Sequence, residues 1–177
     1  MNIANKLTLF RIFLVPIFIM SILILGIDNI LGFLIFIIAS ITDMLDGYLA
    51  RSRNLVTTFG KFMDPLADKI LACSALVMLV QFGKVEACIV LAREFIISGF
   101  RLIAANNGIV ISASIYGKIK TITQLFAISF ILLNSTNFIK IPMNIDMILW
   151  YISVVFTVMS AIDYIWKNLK VLDLKNI

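Results

Sequence analysis

Six stretches of 19 to 24 residues, at about 8–26, 29–51, 61–82, 84–105, 116–136 and 143–166, are apolar enough to lie in lipid. No water reaches peptide groups inside hydrocarbon, so each stretch must close its own backbone hydrogen bonds. A membrane-spanning strand needs only about 9–11 residues, whereas a spanning helix needs roughly 20. The lengths therefore select helices. The chain of 177 residues is 62% hydrophobic, with a mean hydropathy of +1.07, well outside the soluble range. The expected fold is all-α: a polytopic membrane protein with six transmembrane helices in one bundle and a single domain over residues 1–177. Met1–Lys6 is polar, and no small-residue cleavage site follows the first apolar run, so that run reads as a span rather than a signal peptide.

Charge placement orients the spans. With six of them both termini share a side, which collects Lys6, Arg11, Arg51, Arg53, Lys61, Arg101, Lys118, Lys120, Lys167, Lys170 and Lys175. The opposite loops hold only Lys84 and Lys140. Basic residues mark the cytoplasmic side, so both termini are expected in the cytoplasm, with the net charge of +5 gathered at the inner leaflet. Each of these cations is also explained by topology alone. The chain has no histidine, which removes Ser-His-Asp hydrolysis, histidine-based phosphoryl transfer and histidine-ligated zinc. Cys73 and Cys88 match no metal or redox spacing and read as thiols filling space between helices.

Four of the ten acidic residues, Asp43, Asp46, Asp64 and Asp68, fall within 26 positions in or beside lipid-soluble sequence. One aspartate at mid-bilayer costs about 2.5–3.5 kcal/mol, and four would cost roughly 10 kcal/mol or more without compensation. Such a cluster demands a use. Positions i, i+3, i+4 and i+7 share a helix face, which aligns Asp43, Asp46, Gly47 and Ala50 on the second span. Gly60, Asp64 and Asp68 make a matching stripe on the third. Two helices joined by a short inner loop can aim these carboxylates into one polar cleft facing the cytoplasm. Carboxylates so gathered repel one another unless a cation sits between them. An all-oxygen set suits Mg²⁺ or Mn²⁺, and four carboxylates can hold two such ions, an arrangement suited to clamping phosphate. The alternatives are hydrogen bonds or ion pairs between helices and a proton or cation pathway.

The spacing Asp43-x2-Asp46-Gly47-x2-Ala50-Arg51-x8-Gly60-x3-Asp64-x3-Asp68 resembles, without a departure, the signature of the CDP-alcohol phosphotransferase family. Three further blocks extend the likeness. Asn5-x-Leu7-Thr8-x2-Arg11-x4-Pro16, Ala92-Arg93-Glu94-Phe95-x2-Ser98-Gly99-x-Arg101 and Gly117-Lys118-x-Lys120-Thr121-x2-Gln124 resemble the bacterial phosphatidylglycerophosphate synthase branch. The sixth span adds little to it.

The resemblance implies transfer of a phosphatidyl group from CDP-diacylglycerol to glycerol 3-phosphate, giving phosphatidylglycerophosphate and CMP, at the bacterial inner membrane. By similarity Asp43, Asp46 and Asp64 are metal ligands. Asp68 both contributes to a second metal position and acts as the general base. Asp46, Gly47, Ala50, Arg51 and Gly60 resemble the CDP-binding positions, with an inner-leaflet anchor the bland alternative for Arg51. The acceptor carries its own phosphate, for which Arg93, Arg101, Lys118 and Lys120 are the candidates. Glu94 reads as an ion-pair partner that orients one of them, and one of the two lysines can face lipid headgroups instead. Thr8 and Arg11 are candidates for the cleft entrance; the alternative is a helix cap and a snorkelling arginine. The family likeness also implies a homodimer, membrane lipids as partners and no nucleic acid. A same-family enzyme acting on serine or inositol phosphate, an ion or proton transporter, and an inactive lipid-binding member are the competing readings.

Overall fold

The computed structural model describes residues 3–52, 58–106, 114–136, 138 and 144–168, without the side chains of 3, 4, 46–52, 58–62, 64, 65, 68 and 106. All regular structure among the described residues is helical: α1 (Ile3–Leu25), α2 (Ile30–Ser52), α3 (Thr58–Gln81), α4 (Ala87–Asn106), α5 (Ile115–Ser135) and α6 (Ile145–Asn168). The all-α expectation holds. Boundaries shift by a few residues, most at α1, which starts at Ile3 and runs unbroken through Pro16. Intrahelical hydrogen bonds do not require apolar side chains, so a helix continues into the polar flank of its apolar run. Arg93 and Glu94 likewise do not interrupt α4.

Three helices among the described residues are long and apolar enough to cross a membrane: Asn5–Leu25, Ile115–Ser135 and Ile145–Asn168. Large apolar side chains such as Phe13, Ile24, Phe95, Leu102 and Ile162 point outward, an arrangement suited to lipid and unfavourable in water. Several hydroxyls in the helices are satisfied by the preceding turn, as with Ser40 on the Phe36 carbonyl at 2.8 Å and Thr157 on the Ser153 carbonyl at 2.7 Å. This is a membrane protein.

The chain divides into two compact units. The first comprises Met1–Met78 with Ser129–Met143, the second Leu79–Ile128 with Asn144–Ile177. In the first, α1 packs on α2. The buried side of α1 carries Asn5, Thr8, Arg11, Val15, Phe18 and Ile22, spaced three or four apart as one helix face requires. Its apolar half meets α2, where Phe18 and Phe36 place their ring centroids 5.9 Å apart. Gly32 permits the approach: a Cβ there would lie 3.1 Å from Ile22 Cγ1. Gly26 ends α1 at φ 84°, with its N–H on the Ile22 carbonyl at 3.0 Å. Asn29 then starts α2, its side-chain oxygen accepting the Leu31 N–H at 2.9 Å.

In the second unit, the end of α3 closes through Gly83 at φ 86°. The Gly83 N–H meets the Val80 carbonyl and the Lys84 N–H the Leu79 carbonyl, each at 3.0 Å, satisfying two orphan carbonyls. Ser114 caps α5 by accepting the Gly117 N–H at 3.1 Å. Helices α4 and α6 pack through Ile97, Phe100, Ala104 and Tyr164, with Phe100 and Tyr164 edge to face at 5.8 Å.

Candidate active site

The acidic candidates of the first unit begin on α2. Asp43 Oδ1 lies 2.6 Å from Arg11 Nη1, with the arginine side chain 0% exposed and the aspartate 40% exposed. Arg11 stands on the buried face of α1, one turn after Thr8, which is also fully buried. Neither bland alternative for this pair survives. Thr8 sits inside α1 rather than at its cap, and a guanidinium with no exposure is not snorkelling. The resulting geometry puts a buried cation behind a carboxylate that still reaches solvent.

Asp46, Gly47, Ala50 and Arg51 lie on the same helix as Asp43, and Gly60, Asp64 and Asp68 lie on α3. Their side chains fall outside the described residues, and so does the expected convergence of the carboxylates. Among the described residues no group of three or more His, Cys, Asp or Glu is gathered as a metal site.

A basic cluster is built in the second unit from α4, α5 and α6. Glu94 Oε1 accepts from Arg93 Nη1 at 3.2 Å and is also paired with Lys120 Nζ. All three side chains are largely buried, at 12% exposure for Arg93, 18% for Glu94 and 5% for Lys120. Arg93 Nη2 donates to Ser160 Oγ on α6 at 3.0 Å. Two turns further along α4, Arg101 Nε donates to Tyr164 Oη at 3.3 Å, and its Cζ sits 5.5 Å from that ring's centroid. Gly117 borders the same place: a Cβ on it would fall 3.9 Å from Arg93 Nη2. Lys118 differs from Lys120. It is exposed, because two residues along a helix turn a side chain to another face.

Of the acceptor-phosphate candidates, Arg93 and Lys120 meet at one carboxylate, Arg101 is held separately on Tyr164, and Lys118 stays outside. Glu94 is the ion-pair partner anticipated for it, serving two cations rather than one. Sequence reasoning missed Ser160 and Tyr164. The signal was present: Ser153, Thr157, Ser160 and Tyr164 recur at helical spacing in a segment whose one other polar residue is Asp163, and all four are buried. A buried cation cluster with one carboxylate can receive an anion without first being desolvated.

Residues 1–159 match the CDP-alcohol phosphatidyltransferase family. The chain belongs to that family. Among curated relatives it is similar to the CDP-diacylglycerol–glycerol-3-phosphate 3-phosphatidyltransferase of Bacillus subtilis (strain 168), at 42% identity covering 99% of each chain. Proteins of the same name in Rickettsia bellii and Haemophilus influenzae are each 39% identical. The alignments cover 92% of this chain and 93% of the Rickettsia protein, and 93% of this chain and 91% of the Haemophilus one. All the signature aspartates of a CDP-alcohol phosphatidyltransferase and the Arg93, Glu94 and Lys120 trio lie inside the matched segment. Ser160 and Tyr164 lie just beyond it.

Proposed function

We propose that this chain transfers the phosphatidyl group of CDP-diacylglycerol to glycerol 3-phosphate, releasing CMP and phosphatidylglycerophosphate. Full-length similarity to relatives bearing that activity in their names supports the reaction, as does the unbroken aspartate signature. The observation that carries the choice of acceptor is the charge count in the second unit. Arg93 and Lys120 share one carboxylate, Glu94, while Arg101 is held on the neutral Tyr164 hydroxyl, leaving a surplus of two positive charges among these four. A phosphate monoester carries about −1.5 to −2 at neutral pH, so glycerol 3-phosphate fits that surplus. Serine, a zwitterion, does not.

The donor set fits a divalent ion in its chemistry: four carboxylates, all hard oxygens, of which Asp43 keeps 40% exposure despite its arginine partner. Asp43, Asp46, Asp64 and Asp68 would hold Mg²⁺ or Mn²⁺, two ions at full occupancy, whose chemistry is to neutralise the pyrophosphate and ease the departure of CMP. Asp46, Gly47, Ala50, Arg51 and Gly60 bind the cytidine diphosphate, the small residues leaving room and Arg51 bonding phosphate. Arg93, Arg101 and Lys120 orient the acceptor through its phosphate. Asp68 takes the proton of the glycerol hydroxyl as that oxygen bonds to the β-phosphorus. The bond from this phosphorus to the bridging oxygen breaks, and CMP leaves with the electron pair.

In this reading the chain is a single catalytic domain and a homodimer. It crosses the bacterial cytoplasmic membrane several times, with both termini and the cleft on the basic, cytoplasmic side. Headgroup-resolved analysis of the lipid product tests the acceptor, using purified chain, CDP-diacylglycerol and Mg²⁺ with glycerol 3-phosphate, serine or inositol phosphate. Phosphatidylglycerophosphate is the expected product. Strong turnover with serine or inositol phosphate and none with glycerol 3-phosphate overturns the proposal.

A further inference from the structure

The sixth helix contributes two neutral hydroxyls that grip the two arginines of α4. Arg93 and Arg101 are eight residues apart, about 12 Å of helix rise, while Ser160 and Tyr164 are four apart, about 6 Å. The hydrogen bonds follow the same order along both helices, Arg93 to Ser160 at 3.0 Å and Arg101 to Tyr164 at 3.3 Å. Ser160 and Tyr164, one turn apart, share a face of α6, so both guanidiniums are held from that one face.

The choice of partner matters as much as the distance. A carboxylate at either place would cancel charge, as Glu94 does for one of its cations; a hydroxyl orients the guanidinium and leaves its charge available. Ser160 is committed by a second bond. Its Oγ donates to the Thr157 carbonyl at 2.9 Å, which turns the oxygen's lone pairs toward Arg93. Tyr164 adds its ring beneath Arg101 and is itself fixed edge to face by Phe100. Both hydroxyl-bearing residues are buried, Ser160 at 0% and Tyr164 at 2% exposure, so their positions are set by packing.

We propose that Ser160 and Tyr164 are positioning residues that fix the orientation of the Arg93 and Arg101 guanidiniums and through it the affinity for the acceptor's phosphate. The proposal rests on the acceptor-site reading above. Its test is steady-state CMP release by the purified full chain, with KM measured separately for glycerol 3-phosphate and CDP-diacylglycerol. Ser160→Ala is expected to raise KM for glycerol 3-phosphate about tenfold, the worth of one hydrogen bond to a charged group. Both kcat and KM for CDP-diacylglycerol should stay within about twofold, and Ser160→Thr, which keeps the hydroxyl, should restore most of the loss. Tyr164→Phe, which keeps the ring and loses only the longer bond, is expected to raise the same KM about threefold. In an Arg93→Gln background Ser160→Ala should add nothing, since its effect runs through that arginine. Unchanged KM in Ser160→Ala, an equal rise for both substrates, or additive effects with Arg93→Gln would overturn the positioning role alone. Unchanged KM in Arg93→Gln and Arg101→Gln themselves would remove the acceptor site, and this inference with it.

Discussion

The two charged regions of the molecule are built as opposites. On α1 and α2 a fully buried cation, Arg11, stands behind an aspartate left 40% exposed. On α4 and α5 a largely buried carboxylate, Glu94, stands between two cations. Among the described side chains of these pairings the buried member is the cation in the first and the carboxylate in the second. In the proposed reading each is a counter-charge that lets like charges of the other sign be held close together. Acidic surplus suits a divalent cation, and basic surplus suits a phosphate. In the proposed reading the sign of the surplus, rather than the presence of ion pairs, selects what each region receives.

Chelation should separate the regions most sharply. Removing divalent ions with EDTA is expected to abolish CMP release, with recovery on adding Mg²⁺ or Mn²⁺, because only the acidic region depends on them. Undiminished turnover in EDTA would end the metal reading. Asp68→Asn should lower kcat by about 10²- to 10⁴-fold, the usual contribution of a general base. A folded Asp68→Asn protein with intact CMP release would leave that carboxylate without its catalytic role.

Smaller effects probe the buried counter-charges. Glu94→Gln takes the carboxylate from Lys120, a side chain 5% exposed, and should destabilise the fold by about 2–4 kcal/mol in thermal unfolding in detergent. Arg11→Met removes the partner of a carboxylate that the protein leaves 40% exposed, so a smaller loss of about 1–2 kcal/mol is expected. Reversal of that order would mean that burial does not distinguish the regions as described. The least change is expected at Lys118, whose exposed charge is screened by solvent. There Lys118→Gln should alter KM for glycerol 3-phosphate by less than about threefold, and a large rise would return it to the acceptor site.

Much of this was legible from residue order. Apolar runs fix where helices form because lipid leaves the backbone no other partner, and six helices appear within a few residues of those runs. Polar residues inside such runs are conspicuous for the same reason, which is why the aspartates, Arg93, Glu94 and Lys120 stood out. Pairings between helices were harder to see. Glu94 could have served Arg93, Arg101 or neither, and nothing local distinguishes these choices. Ser160 and Tyr164 were given no role because a serine costs little in a helix that satisfies it internally, and a tyrosine near the end of a spanning helix is commonplace.

Residue order alone thus determined the helical architecture and the membrane environment, since both follow from period, length and composition. Only tertiary structure decided that Arg11 backs Asp43, that Glu94 joins Arg93 to Lys120, and that α6 holds the arginines of α4. The physical reason is range. Periodicity and hydropathy act within a segment, whereas a hydrogen bond between residues 67 or 63 positions apart exists only after two helices have packed in one register.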